Sequence, residues 1–144
     1  MMTTREFSLA MMAVMSFSGV ALAQDALPSG KLAVELNELA PSEKGCKLTF
    51  LATNGFEQSL DKASFEFVLF DEKGLVERMA VLDFRDLPAG KMKVRQFDLP
   101  GTKCEAVKSM LINDAPVCTG QGIDKSACMT GLSAGSKASV ELKG

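Results

Sequence analysis

The sequence predicts an all-β domain, an immunoglobulin-like antiparallel β-sandwich of about seven strands. Short segments in which apolar and polar residues alternate recur between turn residues, and no stretch has the apolar spacing of an amphipathic helix. Two cysteines add a third observation, because Cys46 opens the second predicted strand and Cys104 just precedes the sixth. In an up-and-down strand order these two strands point the same way, so a bridge between the two sheets is feasible.

The first residues have the pattern of a signal peptide that is removed after Ala23. An apolar run at 9–23 follows a single basic residue, Arg5, and ends with small residues at Ala21 and Ala23. Signal peptidase accepts this pattern, and the run is shorter than the ~20 apolar residues of a membrane span. An uncleaved N-terminal anchor is the alternative. The predicted organisation is a signal peptide at 1–23, a flexible lead-in at 24–30 and a β-sandwich domain at 31–144.

The leader predicts a periplasmic protein, and the charge balance limits its partners. The leader lacks the pair of arginines of a Tat signal, so export by the Sec route is favoured, and we expect no membrane span after cleavage. The chain has 16 basic and 18 acidic residues, a formal net charge of −2, and the two signs are interspersed. This balance argues against a basic surface for nucleic acid.

The first three predicted strands alternate cleanly. Every second residue is apolar in the segments 32–36, 46–52 and 65–69, which is the pattern of half-buried strands. Asn54 and Gly55 end the second strand, and the sequence Asp-Glu-Lys-Gly at 71–74 predicts a tight hairpin turn after the third.

The remaining strands are less regular. The fourth, 75–84, alternates poorly, so we expect an irregularity within it, and a Pro- and Gly-containing turn follows at 86–90. The sixth is predicted at 106–114, with a short helix as the alternative. A long loop at 115–135 then leads to the last strand at 137–143.

The fifth predicted strand, 91–99, contains a change of phase. Met92 and Val94 share one face, whereas the apolar residues of the second half lie on the other. A slip of one residue near Arg95 predicts a β-bulge.

All four cysteines lie in the predicted mature region, and an even number in an exported chain indicates two disulfides. Three pairings are possible. We favour Cys46–Cys104, which closes a long loop between two strands, and Cys118–Cys128, which closes a short loop rich in Gly, Asp, Lys and Ser. A redox dithiol or a thiolate metal site is the alternative, but the sequence has no C-x-x-C motif and no paired metal-ligand spacing.

The composition limits the chemistry of the protein. The sequence contains no His, so a Ser-His-Asp triad, a Cys-His pair and a His-based metal site are excluded. We predict no catalytic residue, no bound metal and no cofactor. The expected function is a non-enzymatic binding or interaction module with an unknown protein or envelope partner. The alternative is an enzyme or redox protein that uses carboxylates or thiols.

The loop at 115–135 is the predicted interaction surface. Loops of this length in a compact domain are usually functional or disordered, and a bridge across the middle of this one argues against disorder. Its candidate contact residues are Gln121, Asp124 and Lys125. The alternative is a disulfide-closed connecting loop that binds no partner.

Several segments resemble a family of small, uncharacterised periplasmic proteins of α-proteobacteria, some of which are labelled as Tat signal domain proteins. The similar segments are 34–50, 65–99 and 104–118. The most specific parts are the Leu-Pro-Ala-Gly turn at 87–90 and the Leu-Ile-Asn-Asp segment at 111–114. The resemblance implies a periplasmic, disulfide-containing β-sandwich and implies no activity.

Overall fold

The computed structural model describes residues 29–144, and the predicted signal peptide and most of the lead-in lie outside this range. Within it, the chain forms eight strands in two packed four-stranded sheets, which confirms the prediction of an all-β sandwich. The strands are β1 (Leu32–Pro41), β2 (Gly45–Asn54), β3 (Leu60–Phe70), β4 (Val76–Leu87), β5 (Met92–Pro100), β6 (Ser109–Thr119), β7 (Leu132–Ser136) and β8 (Glu141–Lys143). A single helical turn, α1 (Ala127–Thr130), lies between β6 and β7.

The strand order differs from the prediction at the C-terminal end. One sheet has the order β5-β2-β1-β7 and the other β4-β3-β6-β8. Among the described residues four strand pairs are antiparallel, but β7 pairs parallel to β1 and β8 pairs parallel to β6. The predicted last strand, 137–143, is thus shortened to β8, β7 forms largely within the predicted loop, and the sandwich is not wholly antiparallel. An immunoglobulin-like strand order stays a prediction.

The chain crosses from one sheet to the other between β7 and β8. The Ser136 hydroxyl donates to the carbonyl of Val140 (2.6 Å) and accepts from the N–H of Ala138 (3.1 Å). The N–H of Lys137 donates to the carbonyl of Leu36 in β1 (2.9 Å). These bonds satisfy backbone groups that leave the ladder at the crossing, and they let Val140 and Leu142 enter the core from the second sheet.

The core lies between the two sheets and is centred on phenylalanine side chains. Phe50 of β2 contacts Phe67 of β3 and Phe84 of β4, with ring centroids 5.0 and 5.4 Å apart. Both pairs are tilted, an arrangement that the aromatic quadrupole favours over a face-to-face sandwich. The apolar residues that alternate in the first three strands are therefore buried between the sheets, as predicted.

The predicted β-bulge in β5 is wrong. The register between β2 and β5 is unbroken from Thr53–Met92 to Gly45–Pro100. Met92 and Val94 lie on the outer face and are more than half exposed, whereas Arg95 is buried. A long basic side chain therefore occupies an inward position, and this inward arginine produces the apparent change of phase in the sequence.

The irregularity expected in β4 is present at its C-terminal half. The register with β3 shifts beside Phe84, and Arg85 has a positive φ of 59°. The Asp83 carboxylate accepts a hydrogen bond from the Arg85 N–H (2.8 Å) and lies 3.6 Å from the ammonium of Lys62. This local bond from an aspartate to the backbone supports the left-handed conformation two residues later.

The long loop predicted at 115–135 is shorter in the structure. A 3₁₀ turn at Cys104–Ala106 precedes β6, and β6 continues to Thr119. The chain at 132–136 forms β7, so the connecting segment is reduced to 120–131 and includes α1. Pro116 and the polar residues around it indicate a loop by local preference, but pairing with β3 extends the strand through them.

The structure contains the favoured cysteine pairing, Cys46–Cys104 and Cys118–Cys128, and no free cysteine among the described residues. The first bridge ties β2 of one sheet to the turn that leads into β6 of the other. The second joins the end of β6 to α1, at the opposite end of the sandwich. Two structural disulfides indicate an oxidising, exported compartment.

Candidate functional site

The segment 120–131 lies at one end of the sandwich, beside the connection between β2 and β3. We call this surface the stapled end and define it as residues 29–30, 55–58 and 120–131. Its three candidate contact residues, Gln121, Asp124 and Lys125, are all exposed. The structure therefore places the predicted residues on one accessible surface. It assigns them no ligand.

Two glycines allow the segments of the stapled end to pack closely. A Cβ atom at Gly131 would lie 2.6 Å from the ring of Phe56, and one at Gly120 would overlap the carbonyl of Ser59. Any other residue at either position would push 120–131 away from the β2–β3 connection. These glycines thus keep the two segments in contact as one surface.

A buried amide fixes the β2–β3 connection. The Asn54 side chain is fully buried, and its Nδ2 donates to the carbonyls of Leu87 (2.8 Å) and Gln58 (3.0 Å). Its Oδ1 accepts from the N–H of Phe56 (2.8 Å). Sequence reasoning treated Asn54 only as the end of a strand, and an asparagine before a glycine gives no further signal. Its role here is to position Phe56.

Hydrogen bonds also order the segment 120–131. Asp124 Oδ1 accepts from the backbone N–H of Ser126 (2.8 Å) and from its hydroxyl (2.7 Å). The hydroxyl bond and the backbone bond from Ser126 lower the pKa of Asp124 below its ordinary value of 3.8. Desolvation opposes them, and the charge of Lys125 adds the smallest lowering effect on this pKa. The carboxylate is therefore ionised at neutral pH and holds the turn before α1 in shape.

A shallow depression of about 480 Å³ lies in the stapled end. Phe56 and Ile123 are half-buried and line it with apolar side chains, whereas Glu57, Gln58 and Asp124 line it with exposed polar ones. Its lining residues are Ser29, Gly30, Gly55, Phe56, Glu57, Gln58, Gly122, Ile123, Asp124 and Ala127. An apolar centre within a polar rim suits contact with a protein surface.

The thiols at the stapled end are oxidised, and the described residues contain no grouped metal ligands. The sulfur atoms of Cys118 and Cys128 are joined in a disulfide. In 29–144 no three His, Cys, Asp or Glu side chains are grouped to hold a metal ion. No helix within residues 29–144 is both long enough and apolar enough to cross a membrane.

Comparison with known proteins adds no assignment. No family model, no curated protein and no solved structure matches the chain. The resemblance to a family of periplasmic proteins stays a prediction from the sequence. The function therefore rests on the geometry of the stapled end itself.

Proposed function

We propose that this protein is a non-enzymatic, exported binding module whose stapled end contacts a protein partner in the cell envelope. The observation that carries the proposal is the preorganisation of 120–131. The Cys118–Cys128 bridge and the Asp124–Ser126 hydrogen bonds fix this segment while Gln121, Asp124 and Lys125 stay exposed. A segment that is already ordered loses less conformational entropy when it binds.

The residues of the depression suggest how a partner would be held. Phe56 and Ile123 form a small apolar centre, and aromatic side chains at the centre of an interface commonly carry much of the binding energy. The acidic rim, with Glu57 and Asp124, favours a partner that presents an apolar side chain flanked by basic residues. Lys125 and Gln121 lie beside this rim and extend the same surface.

Export by the Sec route to the periplasm is part of the proposal. Its support is the leader pattern in 1–23 together with two disulfides in a chain of this size. The exported protein should begin at Gln24, which an intact mass of protein purified from the periplasm would establish. A mass that still includes residues 1–23 would contradict cleavage and indicate an N-terminal anchor.

Site-specific photo-crosslinking in cells tests the binding surface. A photoreactive amino acid placed at Gln121 or Lys125 should give a crosslinked band at one reproducible mass. The same amino acid at Glu72, which is exposed in the hairpin turn at the opposite end, should not give that band. Equal crosslinking from both ends, or none from the stapled end, would contradict the proposal.

A loop replacement provides an independent test. Residues 121–127 are replaced by a Gly/Ser segment of equal length, so that both cysteines are kept. The matched control replaces Glu72 and Lys73 in the hairpin by Gly and Ser. Capture of the crosslinked partner from a periplasmic extract should be lost only with the first replacement. If the first replacement captures the partner at full yield, 120–131 is only a connector.

A further inference from the structure

The sandwich has two long edge strands on the same side, β4 and β5, and they are protected differently. Each is hydrogen-bonded to a neighbouring strand on one side only. Arg95 of β5 donates to the carbonyls of Phe84 (2.6 Å) and Asp86 (2.8 Å), and Arg78 of β4 donates to the carbonyl of Pro100 (2.6 Å). These two arginines hold the edges side by side without any strand pairing between them.

β5 carries the features that discourage pairing with another chain. It is preceded by a lysine, has basic residues at alternate positions 93 and 95, and ends in Pro100. Charged residues and proline on an edge are a common protection against pairing. In β4 the charged residues lie toward the two ends, at 77–78 and at 83, 85 and 86, and the central segment 79–82 reads Met-Ala-Val-Leu, with neither charge nor proline. The central part of the β4 edge is therefore open to another strand.

The outer face of β4 is apolar at the same place. Met79 and Val81 are 54% and 57% exposed, although each has an apolar side chain. Met79 lies opposite Val68 of β3, and Val68 lies opposite Leu111 of β6. An apolar row thus crosses three strands of the sheet and stops at the β4 edge. A strand added there would cover part of Met79 and Val81 and so remove apolar surface from water.

We propose that two copies of this chain associate through β4, paired antiparallel about a two-fold axis at Val81. Self-pairing of one edge is an isologous contact, so it closes after two copies and does not continue into a fibre. The β4-β3-β6-β8 sheets of the two copies would then form one continuous eight-stranded sheet across the dimer. Val81 of each copy would lie against its counterpart at the centre.

Charge complementarity selects this register. Glu77 and Arg85 lie four positions on either side of Val81, so antiparallel pairing about Val81 brings Glu77 of each copy close to Arg85 of the other, just beyond the register shift at Phe84. Both residues are exposed, and neither has an ion-pair partner among residues 29–144. An axis at Ala80 would place Glu77 opposite Asp83, and like charges directly opposite destabilise a strand pair.

Light scattering tests the association. It measures the mass of the purified protein in solution over a hundredfold range of concentration. The protein is expressed from the full sequence, and its mass is compared with that of the same sample in denaturant. We expect twice the denatured mass at the upper concentrations. Val81→Lys should give the single-chain mass throughout, whereas Val94→Lys on β5, where Val94 is equally exposed at 56%, should leave the dimer intact. A single-chain mass for the unmodified protein would overturn the proposal.

Charge exchange tests the register. Glu77→Arg and Arg85→Glu should each weaken the dimer at least tenfold, because like charges then meet twice across the axis. An equimolar mixture of the two variants should form a dimer again, as should the double variant E77R/R85E. Urea midpoints and far-UV circular dichroism check that each variant is folded. A dimer that Glu77→Arg strengthens would overturn this register, since that result requires Glu77 to face Asp83.

Discussion

Two residues whose structural roles the sequence pattern does not reveal determine much of the local geometry. Arg95 occupies an inward position of an edge strand and donates hydrogen bonds across the gap between the sheets. Asn54 is buried at the end of β2 and uses both its amide nitrogen and its oxygen. A buried polar group stabilises a fold only when it is bonded, so each is sensitive to removal of its side-chain polar atoms.

Replacing Arg95 by methionine should destabilise the fold by about 2 kcal/mol, because the carbonyls of Phe84 and Asp86 lose a charged donor. The matched control is Lys93→Met on the same strand, where the half-buried lysine forms no side-chain hydrogen bond or ion pair within the described residues. Urea unfolding followed by far-UV circular dichroism measures both, since the chain has no Trp or Tyr to report by fluorescence. Equal losses for the two variants would contradict the role given to Arg95.

The pKa of Asp124 provides a second measurement at this scale. Hydrogen bonds from Ser126 lower it, so the folded state favours the ionised carboxylate. The part of the order in 120–131 that these bonds provide is fully present above the ordinary pKa of 3.8 and is lost as the pH falls through the lower folded value. A carboxyl ¹³C titration should show the midpoint below 3.8, rising in Ser126→Ala. Lys125→Ala should raise it less, because its charge is the smallest of the causes. A midpoint that Ser126→Ala leaves unchanged would contradict this assignment.

The strands that show a clear local alternation are predicted correctly. The two C-terminal strands, which depend on pairing with distant segments, are not. The alternation in 32–36, 46–52 and 65–69 predicts β1, β2 and β3, and the hairpin turn at 71–74 closes as expected, with the Asp71 N–H donating to the carbonyl of Leu75 (2.8 Å). The division of the C-terminal segment into β7 and β8 depends on parallel partners about 100 and 32 residues away. No local pattern encodes such partners.

The candidate site likewise has one part that the sequence predicts and one part that only the fold reveals. The positions of Gln121, Asp124 and Lys125 on an exposed, bridged segment follow from cysteine spacing and turn residues. The contribution of Phe56 could not be predicted, because it depends on the packing of its ring against Gly131 and on its bond to Asn54. Contacts between segments some 75 residues apart are decided by the three-dimensional fold.

The two disulfides should differ in their effect on stability. By loop-closure entropy, Cys46–Cys104 contributes about 4 kcal/mol and Cys118–Cys128 about 3 kcal/mol. Cys128 is as fully buried as Cys46, so the second bridge also packs against the core and does more than organise a loop. We therefore expect the double-serine variant of the first pair to have the lower urea midpoint, by a modest margin. A reversed order would show that packing around Cys128 outweighs loop length.

At the scale of the whole molecule, one core joins both sheets, and the last strand completes it. Leu142 of β8 is 4% exposed and belongs to the same buried cluster as Phe50 and Phe67. Because β8 follows a crossing from the other sheet, its burial ties the C-terminal residues to both layers. The sandwich should therefore unfold as a single cooperative unit.

Replacing Leu142 by alanine should cost about 3 kcal/mol, as expected for a leucine removed from a packed interior. Leu75→Ala is the matched control, because the same side chain is 60% exposed in the hairpin and its loss should cost less than about 0.5 kcal/mol. Both are measured by urea unfolding. A small loss for Leu142→Ala would mean that β8 is not part of the cooperative core.

The Cys46–Cys104 bridge has a mechanical consequence. It encloses β3, β4, β5 and nearly all of β2, with 58 residues of separation between the joined cysteines. A pull applied at the two chain ends cannot extend this enclosed length, roughly 200 Å at about 3.5 Å per residue. A protease or unfoldase that threads one chain end through a narrow pore would meet two chain segments at the bridge, even after the sheets had separated. Complete threading of the chain therefore requires prior reduction.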